Sequence, residues 1–402
     1  MKKYCLTVGL AAFSVIGVCQ AVEPATPAPK KKVLAKKPAA KTPAKTAAVR
    51  KSVTPVKTAL VKASAVKPAP IKKGYVQTWD EPTYKDSTSA DRVIGEDPDI
   101  RKAAVGALGP MNGAIVVSDP NTGRVLSIVN QQLALGGGFQ PCSTIKVPVA
   151  LAALREGLVT RVTPGKVPSK FAPDLTDALA FSNNSYFANL GIKLGYDRVN
   201  YYARLFGYGE KAGLNIEGEH PGYFPPAPPK NGGMGMLTSF GEEISQTPLE
   251  TAALMGAVAN GGTLYWLQYP TSDADIKNFQ PRVKRRLDIA DLVDTVKPGM
   301  QGAVQFGTAR RARQDDTILG KTGTCSEGRT HLGWFTSFVD ASNRKLVVVV
   351  LLTGGKPSVG AMASEVAGDF YKRLSQQNFF RSTVPVTVLS LIPVGETFGS
   401  RN

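Results

Sequence analysis

The chain has 402 residues, a formal net charge of +18 and 43% hydrophobic residues. This length and apolar content suffice for one large globular domain, and no internal repeat indicates a solenoid or a fibrous protein. The charge is concentrated at one end, because residues 1–75 contain 16 lysines and arginines and a single acidic residue, Glu23. That segment therefore accounts for +15 of the +18, and the remainder of the chain is nearly neutral.

The N-terminus is typical of a secretory signal. Two lysines precede the apolar stretch Tyr4–Val18, and a cleavage site follows at Ala21. Residues 1–21 are thus predicted to be a signal peptide, and the mature protein to be exported to the periplasm or another extracytoplasmic compartment. An uncleaved N-terminus that tethers the protein to the membrane is the alternative, although the stretch is shorter than the roughly 20 residues of a spanning helix. A lipid anchor on Cys19 is disfavoured, because the preceding Val18 is bulky where a small residue is usual.

Residues 22–89 are rich in lysine, alanine and proline and are predicted to form a disordered basic linker. Such a segment is attracted to anionic membrane or cell-wall polymers, or serves as a solvated spacer. Nucleic acid is not an expected partner of an exported chain. Residues 90–395 have the alternating apolar pattern of a globular domain.

The first part of this domain predicts a hairpin and then a helix. Two β-rich runs, 114–119 and 124–129, flank a Pro-Asn-Thr-Gly turn. Three glycines at 136–138 predict a flexible approach. Beyond Pro141 the apolar residues recur at helical spacing, which places Ser143 in the first turn.

Further along, residues 175–194 predict two helical pieces around a loop at 181–184, which carries Ser182 and Asn184. Strand-like runs follow at 317–324, 334–339 and 346–352, predicted to be antiparallel neighbours. An amphipathic helix over 359–374 completes the domain. The fold class predicted is α/β of the α+β type, with an antiparallel sheet flanked by helices and an all-α lobe.

Three short motifs occur in order along this pattern. They are Ser143-Thr144-Ile145-Lys146, Ser182-Asn183-Asn184 and Lys321-Thr322-Gly323-Thr324. The first type is a weak signal alone, since a chain of this length contains about one or two by chance. Two further copies, at 64–67 in the basic tail and 342–345 in a predicted turn, do not begin an apolar helix. The order of the motifs makes the set specific for a serine acyl-transfer site.

The motif residues permit nucleophilic catalysis without histidine. A serine hydroxyl needs a neighbour that takes its proton, and the chain has only two histidines, His220 and His331. Lys146 lies three residues after Ser143, so the two side chains share one helix face. A desolvated lysine near another cation loses its proton near neutral pH, and Lys146 is therefore the predicted general base.

The other motif residues supply proton relay and substrate contacts. Ser182 is predicted to pass the proton to the leaving amine, and Asn184 to hold a substrate amide. Lys321 favours neutral Lys146 and attracts a substrate carboxylate, which the hydroxyls of the strand also bind. These hydroxyls belong to Thr322 and Thr324, and Gly323 between them is also a predicted substrate-binding residue. The backbone N–H groups of Ser143 and Thr324 are the predicted oxyanion hole, and the chemistry requires no metal and no cofactor.

At this point the sequence resembles the transpeptidase domain of penicillin-binding proteins, in the superfamily of penicillin-recognising serine enzymes. The resemblance covers about Gly113 to Leu374 and extends beyond the three motifs. Further matching segments are 119–123, 178–187, 240–242, 246–249, 259–262 and 307–309. The resemblance implies a β-lactamase/transpeptidase-like fold. It also implies acylation of Ser143 by the D-Ala-D-Ala end of a peptidoglycan stem peptide, then transfer to an amine or to water, with β-lactams acylating the same serine.

One departure from the family leaves alternatives open. Only 39 residues separate Ser143 from Ser182, which is short for a large transpeptidase. Cross-linking, trimming and hydrolysis of β-lactams differ mainly in how water reaches the acyl-enzyme, so a serine β-lactamase is the alternative function. The Glu-x-x-Leu-Asn segment of class A β-lactamases is missing, which favours the penicillin-binding interpretation. A non-catalytic sensor of β-lactams or wall fragments is the third possible function.

The cysteines extend the resemblance. Cys142 precedes the nucleophile and Cys325 follows the Lys-Thr-Gly-Thr strand, a placement seen in some class A carbapenemases, where the two are bridged. The resemblance therefore implies a disulfide, which an oxidising compartment favours, with two unpaired buried thiols as the alternative. His331 and Trp334 are interpreted as structural residues. Arginines 310, 311 and 313 are interpreted as a solvated basic turn, or else as a guide for an anionic substrate.

Overall fold

The computed structural model describes residues 88, 90–164, 172–214, 216, 218–315, 317–327, 330–340, 344–354 and 359–380. The predicted signal peptide lies outside these ranges. So do the predicted linker, apart from residue 88, and residues 381–395 of the predicted domain. Within the described ranges no helix combines the length and the apolar character needed to cross a bilayer.

The fold is built on a five-stranded sheet. Its strands are β1 (Gly113–Ser118), β2 (Val125–Val129), β5 (Ile318–Glu327), β6 (Thr330–Asp340) and β7 (Lys345–Thr353). They lie in the order β2-β1-β7-β6-β5. Every neighbouring pair is antiparallel, which confirms the predicted hairpin and the three predicted antiparallel neighbours. Strand β5 lies at the edge of the sheet, so one side of its backbone is open to other parts of the molecule.

Both faces of the sheet are covered, and the central strand β7 shows the consequence in its sequence. Its Val347, Val349 and Leu351 contribute to one apolar cluster, whereas Val348 and Val350 contribute to the other. Because alternate side chains of a strand point to opposite faces, a strand buried on both sides is apolar throughout. The run of valines and leucines is therefore explained by its position.

Helices form the two outer layers and the all-α lobe, the part that carries Ser182. They are α1 (Pro98–Leu108), α2 (Gln131–Gly136), α3 (Lys146–Arg155), α4 (Leu175–Ala180), α5 (Asn184–Leu205), α6 (Gly233–Phe240), α7 (Pro248–Ala259), α8 (Asp273–Lys277), α9 (Ala290–Gln305) and α10 (Val359–Gln376). Helices α1 and α10 pack on one face of the sheet, and α3 and α7 belong to the cluster on the other face. This arrangement confirms the predicted mixed fold, with an antiparallel sheet flanked by helices.

A second, two-stranded sheet joins β3 (Thr263–Tyr265) to β4 (Val283–Arg286). The sequence pattern did not predict this pair. The glycine run at 136–138 also differs from expectation, because Gly136 ends helix α2 and is not part of a flexible approach. A β-carbon on Gly138 would lie 1.9 Å from Ser245 Oγ, so this glycine permits a close packing contact.

The packing of α10 on the sheet depends on one large buried side chain. Tyr371 is fully buried, and its Oη lies 3.1 Å from Ser337 Oγ on β6. Ser337 Oγ in turn donates to the carbonyl of Val348 at 3.1 Å. The ring therefore fills the layer between helix and sheet, while the hydroxyl adds one polar contact.

We predict that Tyr371→Ala lowers the free energy of unfolding by about 3–5 kcal/mol, because it leaves a cavity under α10. Tyr371→Phe retains the ring and removes only the hydroxyl contact, so the loss should be about 0.5–1.5 kcal/mol. Urea unfolding followed by circular dichroism measures both variants. Equal losses for the two substitutions would contradict this account of the α10 layer.

Candidate active site

The first motif places a serine and a lysine in direct contact. Residues Cys142–Ile145 form a 3-10 turn that runs directly into α3, so Lys146 begins the helix one turn after Ser143. Lys146 Nζ lies 2.6 Å from Ser143 Oγ, and the lysine side chain is fully buried. The serine hydroxyl and a desolvated amine are therefore within hydrogen-bond distance.

The second motif packs against this lysine from the all-α lobe. Ser182 lies in the turn between α4 and α5, with a left-handed φ of +57° that a non-glycine residue adopts at some cost. Its Oγ and its carbonyl oxygen each lie 3.1 Å from Lys146 Nζ. Asn184, the first residue of α5 and not a loop residue as predicted, accepts a hydrogen bond from Lys146 Nζ through Oδ1 at 2.6 Å.

The third motif completes the cluster from the edge strand β5. Lys321 is fully buried, and its Nζ donates to Ser182 Oγ at 2.8 Å and to the carbonyl of Thr322 at 2.9 Å. The Ser182 hydroxyl thus lies between the two lysine nitrogens. Three segments that are distant in sequence meet in one polar cluster, at the edge of the sheet and the start of α3.

Burial determines the charge state of the two lysines. It lowers the pKa of Lys146 well below the usual 10.5, and the nearby positive charge of Lys321 lowers that pKa further. Burial also lowers the pKa of Lys321 to about 7. The rings of Phe187 and Phe240, with centroids 5.9 and 5.8 Å from Lys146 Nζ, form apolar walls around the amine. At neutral pH the cluster therefore favours a neutral amine at Lys146.

Strand β5 lies close to the Cys142–Ile145 turn, called the nucleophile turn after the predicted role of Ser143, because residue 323 is glycine. A β-carbon on Gly323 would lie 2.9 Å from the carbonyl oxygen of Pro141 and 3.2 Å from Thr144 Cγ2. Any larger side chain would push the strand away from the turn. Glycine is therefore required for the approach itself at this position.

The open edge of β5 borders the cluster formed by Ser143, Lys146, Ser182 and Lys321. The carbonyl of Thr322 accepts a hydrogen bond from Lys321 Nζ. The backbone N–H and C=O groups of Thr322 therefore point away from β6. Since this direction alternates along a strand, the N–H of Thr324 points to the same edge. Ser143 lies in a first helical turn, where N–H groups have no acceptor within the helix. Two backbone donors are thus available beside the serine.

The hydroxyls of the strand are also held by hydrogen bonds. Thr322 Oγ1 lies 2.7 Å from Thr308 Oγ1, and Thr324 Oγ1 accepts the backbone N–H of Gly360 at 3.1 Å. Thr322 is nearly buried, whereas Thr324 is exposed. Each of the two hydroxyls therefore has a hydrogen-bond partner within the protein.

A disulfide joins the nucleophile turn to β5. Cys142 and Cys325 are bonded, with Cα atoms 5.5 Å apart, and Cys142 has a left-handed φ of +53°. The bond links the residue before Ser143 to the residue after Thr324. It therefore fixes the turn against strand β5, which carries Lys321.

Comparison with known proteins identifies this arrangement. A sequence profile described as penicillin binding protein transpeptidase domain matches residues 113–376. The chain belongs to this family of transpeptidase domains. It is 26% identical over 309 residues to stage V sporulation protein D of Bacillus subtilis, which covers 66% of this chain and 48% of that protein. The chain thus spans about half the length of that relative.

Two further comparisons agree with the family. Peptidoglycan D,D-transpeptidase PbpA of Mycobacterium tuberculosis is 25% identical over 327 residues, covering 65% of this chain and 66% of that protein. The crystal structure of Pseudomonas aeruginosa PBP2 in complex with WCK 5153 superposes with a TM-score of 0.60. That match has 26% sequence identity and covers 69% of this chain and 74% of the other.

Several residues that lie next to the cluster were not predicted from the sequence. The carbonyl of Ser239 lies 3.4 Å from Ser143 Oγ, and Gln140 receives the indole N–H of Trp334 on its carbonyl at 2.9 Å. Thr308 belongs to a segment that matched the family but had no assigned role. Only its position before the Lys-Thr-Gly strand signalled its importance.

The residues interpreted as structural or solvated lie outside the cluster's polar contacts. Trp334 is fully buried, and His331 Nδ1 lies 2.7 Å from Ser326 Oγ at the end of the β5–β6 hairpin. Arginines 310, 311 and 313 are exposed, and Arg311 pairs with Glu365 at 2.8 Å. In the described part of the chain, no group of three or more histidine, cysteine or acidic residues is arranged to hold a metal ion.

Lys321 gives a pH-dependent test of this electrostatic description. Its folded pKa of about 7 lies below the unfolded value of 10.5, so between these pH values the unfolded state binds more protons. The wild type should therefore gain stability as pH rises from 7 to 10. Lys321→Met has no titrating group at this position. Its free energy of unfolding relative to that of wild type should therefore fall by up to about 1.4 kcal/mol for each pH unit over this range.

Urea unfolding at pH 7, 8 and 9 measures the difference between the two proteins. Lys277→Met, at an exposed position, controls for the loss of a lysine as such. A difference between wild type and Lys321→Met that does not change with pH would contradict the burial of a titrating ammonium at this position.

Proposed function

We propose that this domain is a serine acyltransferase that acts on peptidoglycan stem peptides ending in D-Ala-D-Ala, as a D,D-transpeptidase or a D,D-carboxypeptidase. The observation that carries the proposal is the 2.6 Å contact between Ser143 Oγ and the buried Lys146 amine. Membership of the transpeptidase family and the similarity to a peptidoglycan D,D-transpeptidase support the substrate class.

Acylation follows from the hydrogen bonds of Lys146. A neutral amine has two hydrogens and one lone pair. Asn184 Oδ1 and the carbonyl of Ser182 cannot donate, so they take the two hydrogens, at 2.6 and 3.1 Å. The lone pair is then left for the hydroxyl proton of Ser143. As Ser143 Oγ forms its bond to the carbonyl carbon of the penultimate D-Ala, Lys146 accepts that proton.

The tetrahedral intermediate and its collapse use the other two motifs. The backbone N–H groups of Ser143 and Thr324 stabilise the oxyanion. The bond to the terminal D-Ala nitrogen then breaks, and Ser182 passes the proton from Lys146 to that nitrogen. Its Oγ is placed for this relay, 3.1 Å from Lys146 Nζ and 2.8 Å from Lys321 Nζ.

The substrate is held at both ends of the scissile bond. The terminal carboxylate binds the hydroxyls of Thr322 and Thr324 under the positive charge of Lys321, at a strand that Gly323 keeps close to the serine. Asn184 donates through its amide nitrogen to a backbone carbonyl of the peptide, because its oxygen is occupied by Lys146. These contacts orient the carbonyl carbon toward Ser143.

The acyl-enzyme is resolved by an amine or by water. Attack by an amine releases a cross-linked peptide, and attack by water releases a trimmed one, with Lys146 again taking and returning the proton. Penicillins mimic the same substrate and acylate Ser143 by opening their ring. Rapid loss of such an acyl group would instead indicate the β-lactamase alternative, and a stable one without peptide turnover the sensor.

Localisation and further partners belong to the same proposal. A cell-wall substrate requires an extracytoplasmic domain, which agrees with the predicted signal in residues 1–21. The 14 lysines and arginines of residues 22–75, which remain after cleavage at Ala21, would hold the domain near anionic membrane or wall polymers. Nucleic acid has no part in this function.

We predict that full-length protein forms a covalent adduct with a fluorescent penicillin and that Ser143→Ala forms none. Lys146→Met retains the serine but removes the base, so the second-order rate constant for adduct formation should fall by about 10²- to 10⁴-fold. Gel fluorescence against time measures both. Intact mass spectrometry with a stem pentapeptide, with and without an amine acceptor, then separates transpeptidation from trimming.

Ser64→Ala is the matched control, since this serine belongs to an unrelated Ser-x-x-Lys sequence in the tail. Labelling of Ser143→Ala at the wild-type rate would contradict the assignment of the nucleophile. Absence of any adduct with wild type would contradict the acyltransferase itself.

A further inference from the structure

The segment 307–309, between α9 and β5, is fixed more firmly than a connecting loop requires. A β-carbon on Gly307 would lie 2.2 Å from the carbonyl oxygen of Ala180, so only glycine allows the segment to approach the end of α4. Ala309 is fully buried, and its N–H donates to the carbonyl of Ala303 at 2.8 Å. These contacts hold the residue between them, Thr308, in one place.

Thr308 connects the all-α lobe to the Lys-Thr-Gly strand. Its N–H donates to the carbonyl of Ala180 at 3.1 Å, two residues before Ser182. Its Oγ1 lies 2.7 Å from Thr322 Oγ1 and 3.5 Å from the same carbonyl. One residue thus reaches both walls of the candidate active site.

Either hydroxyl of the Thr308–Thr322 pair can donate, and a bound carboxylate selects the direction. Thr308 Oγ1–H has two acceptors, Thr322 Oγ1 and the carbonyl of Ala180. The carbonyl is 0.8 Å further away and already accepts the N–H of Thr308. A carboxylate has no proton, so a Thr322 hydroxyl that binds one must be the donor to it, and Thr322 Oγ1 then accepts the proton of Thr308 across the 2.7 Å contact.

The neighbouring hydroxyl has the same arrangement. Thr324 Oγ1 accepts the N–H of Gly360 at 3.1 Å, a contact in which the threonine cannot be the donor. With Thr308 as the donor to Thr322, both hydroxyls of the strand accept a hydrogen bond from the protein, and each has a proton to donate. Two oriented donors on one strand match the two oxygens of a carboxylate.

We propose that Thr308 is a positioning residue for substrate recognition. By donating to Thr322, it directs the Thr322 hydroxyl proton toward the terminal carboxylate of the acyl donor and so sets the preference for anionic over uncharged donors. This inference rests on the acyltransferase function proposed above. Thr308 itself does not touch the substrate.

The test compares benzylpenicillin with its methyl ester as acylating agents, each followed by intact mass spectrometry of full-length protein. Wild type should react faster with the acid. In Thr308→Val, which keeps the shape but loses the donor, the rate constant for the acid should fall by about tenfold, and that for the ester by less than about twofold. Thr308→Ser retains the hydroxyl and should restore the preference for the acid.

A double-mutant cycle with Thr322→Val strengthens the test. If Thr308 acts through Thr322, the double variant should lose no more of the acid preference than Thr322→Val alone. Thr308→Ala provides a second removal of the hydroxyl if the valine variant does not fold. Thermal unfolding of each variant establishes that the protein is intact.

The two proposals fail in different ways. If Thr308→Val and Thr308→Ala keep the wild-type ratio of acid to ester rates, or slow both agents equally, Thr308 does not set the preference, while the acyltransferase proposal stands. If wild type reacts with neither agent, the acyltransferase proposal is overturned and the role of Thr308 with it.

Discussion

The contact between the Ser143 hydroxyl and the Lys146 amine depends on removing both from water. In solvent, a lysine at neutral pH is an ammonium with no lone pair, and it cannot accept a proton from serine. Burial between Phe187 and Phe240, together with the charge of Lys321, reverses this preference. The nucleophile turn, the lobe that carries Ser182 and the edge of the sheet all serve to keep this amine dry and in place.

This arrangement lowers stability, and the fold compensates elsewhere. Two buried lysines and left-handed backbones at Cys142 and Ser182 are each unfavourable. The disulfide to Cys325 and the continuous apolar layers on both faces of β7 offset them. In the described part of the chain, both lysines that are fully buried lie at the cluster, with two of the five non-glycine residues that have a left-handed φ. Such a distribution is typical of sites in which unusual protonation states are required.

Local sequence patterns predicted the parts of the fold that local physics determines. The three-residue spacing of Ser143 and Lys146 indicated a shared helix face, and the apolar runs of β6 and β7 indicated strands. Strand order was not predictable in this way, because the pairing of β1 with β7 joins residues more than 200 positions apart. The β3–β4 pair was missed because β4 is a short run, Val283–Arg286, made mostly of basic residues.

The same distinction between local and long-range contacts applies to the candidate site. Motif chemistry indicated which residues belong to it, and the structure brings Ser143, Lys146, Ser182 and Lys321 together as expected. Sequence did not reveal the role of Thr308, since its contacts to Ala180 and Thr322 exist only once α9, α4 and β5 have packed. Residues that orient other residues carry little local signal, and their importance is visible only in three dimensions.

The charge state of Lys146 is the central claim, and it can be measured directly. Protein labelled with ¹³C at the lysine ε-carbons is titrated by NMR, and the Lys146 resonance is assigned by its absence from the spectrum of Lys146→Met. The account predicts a midpoint well below 10.5 for wild type and a higher midpoint in Lys321→Met, where the neighbouring cation is missing. A midpoint near 10.5 in wild type would show an ammonium at neutral pH and would contradict the account.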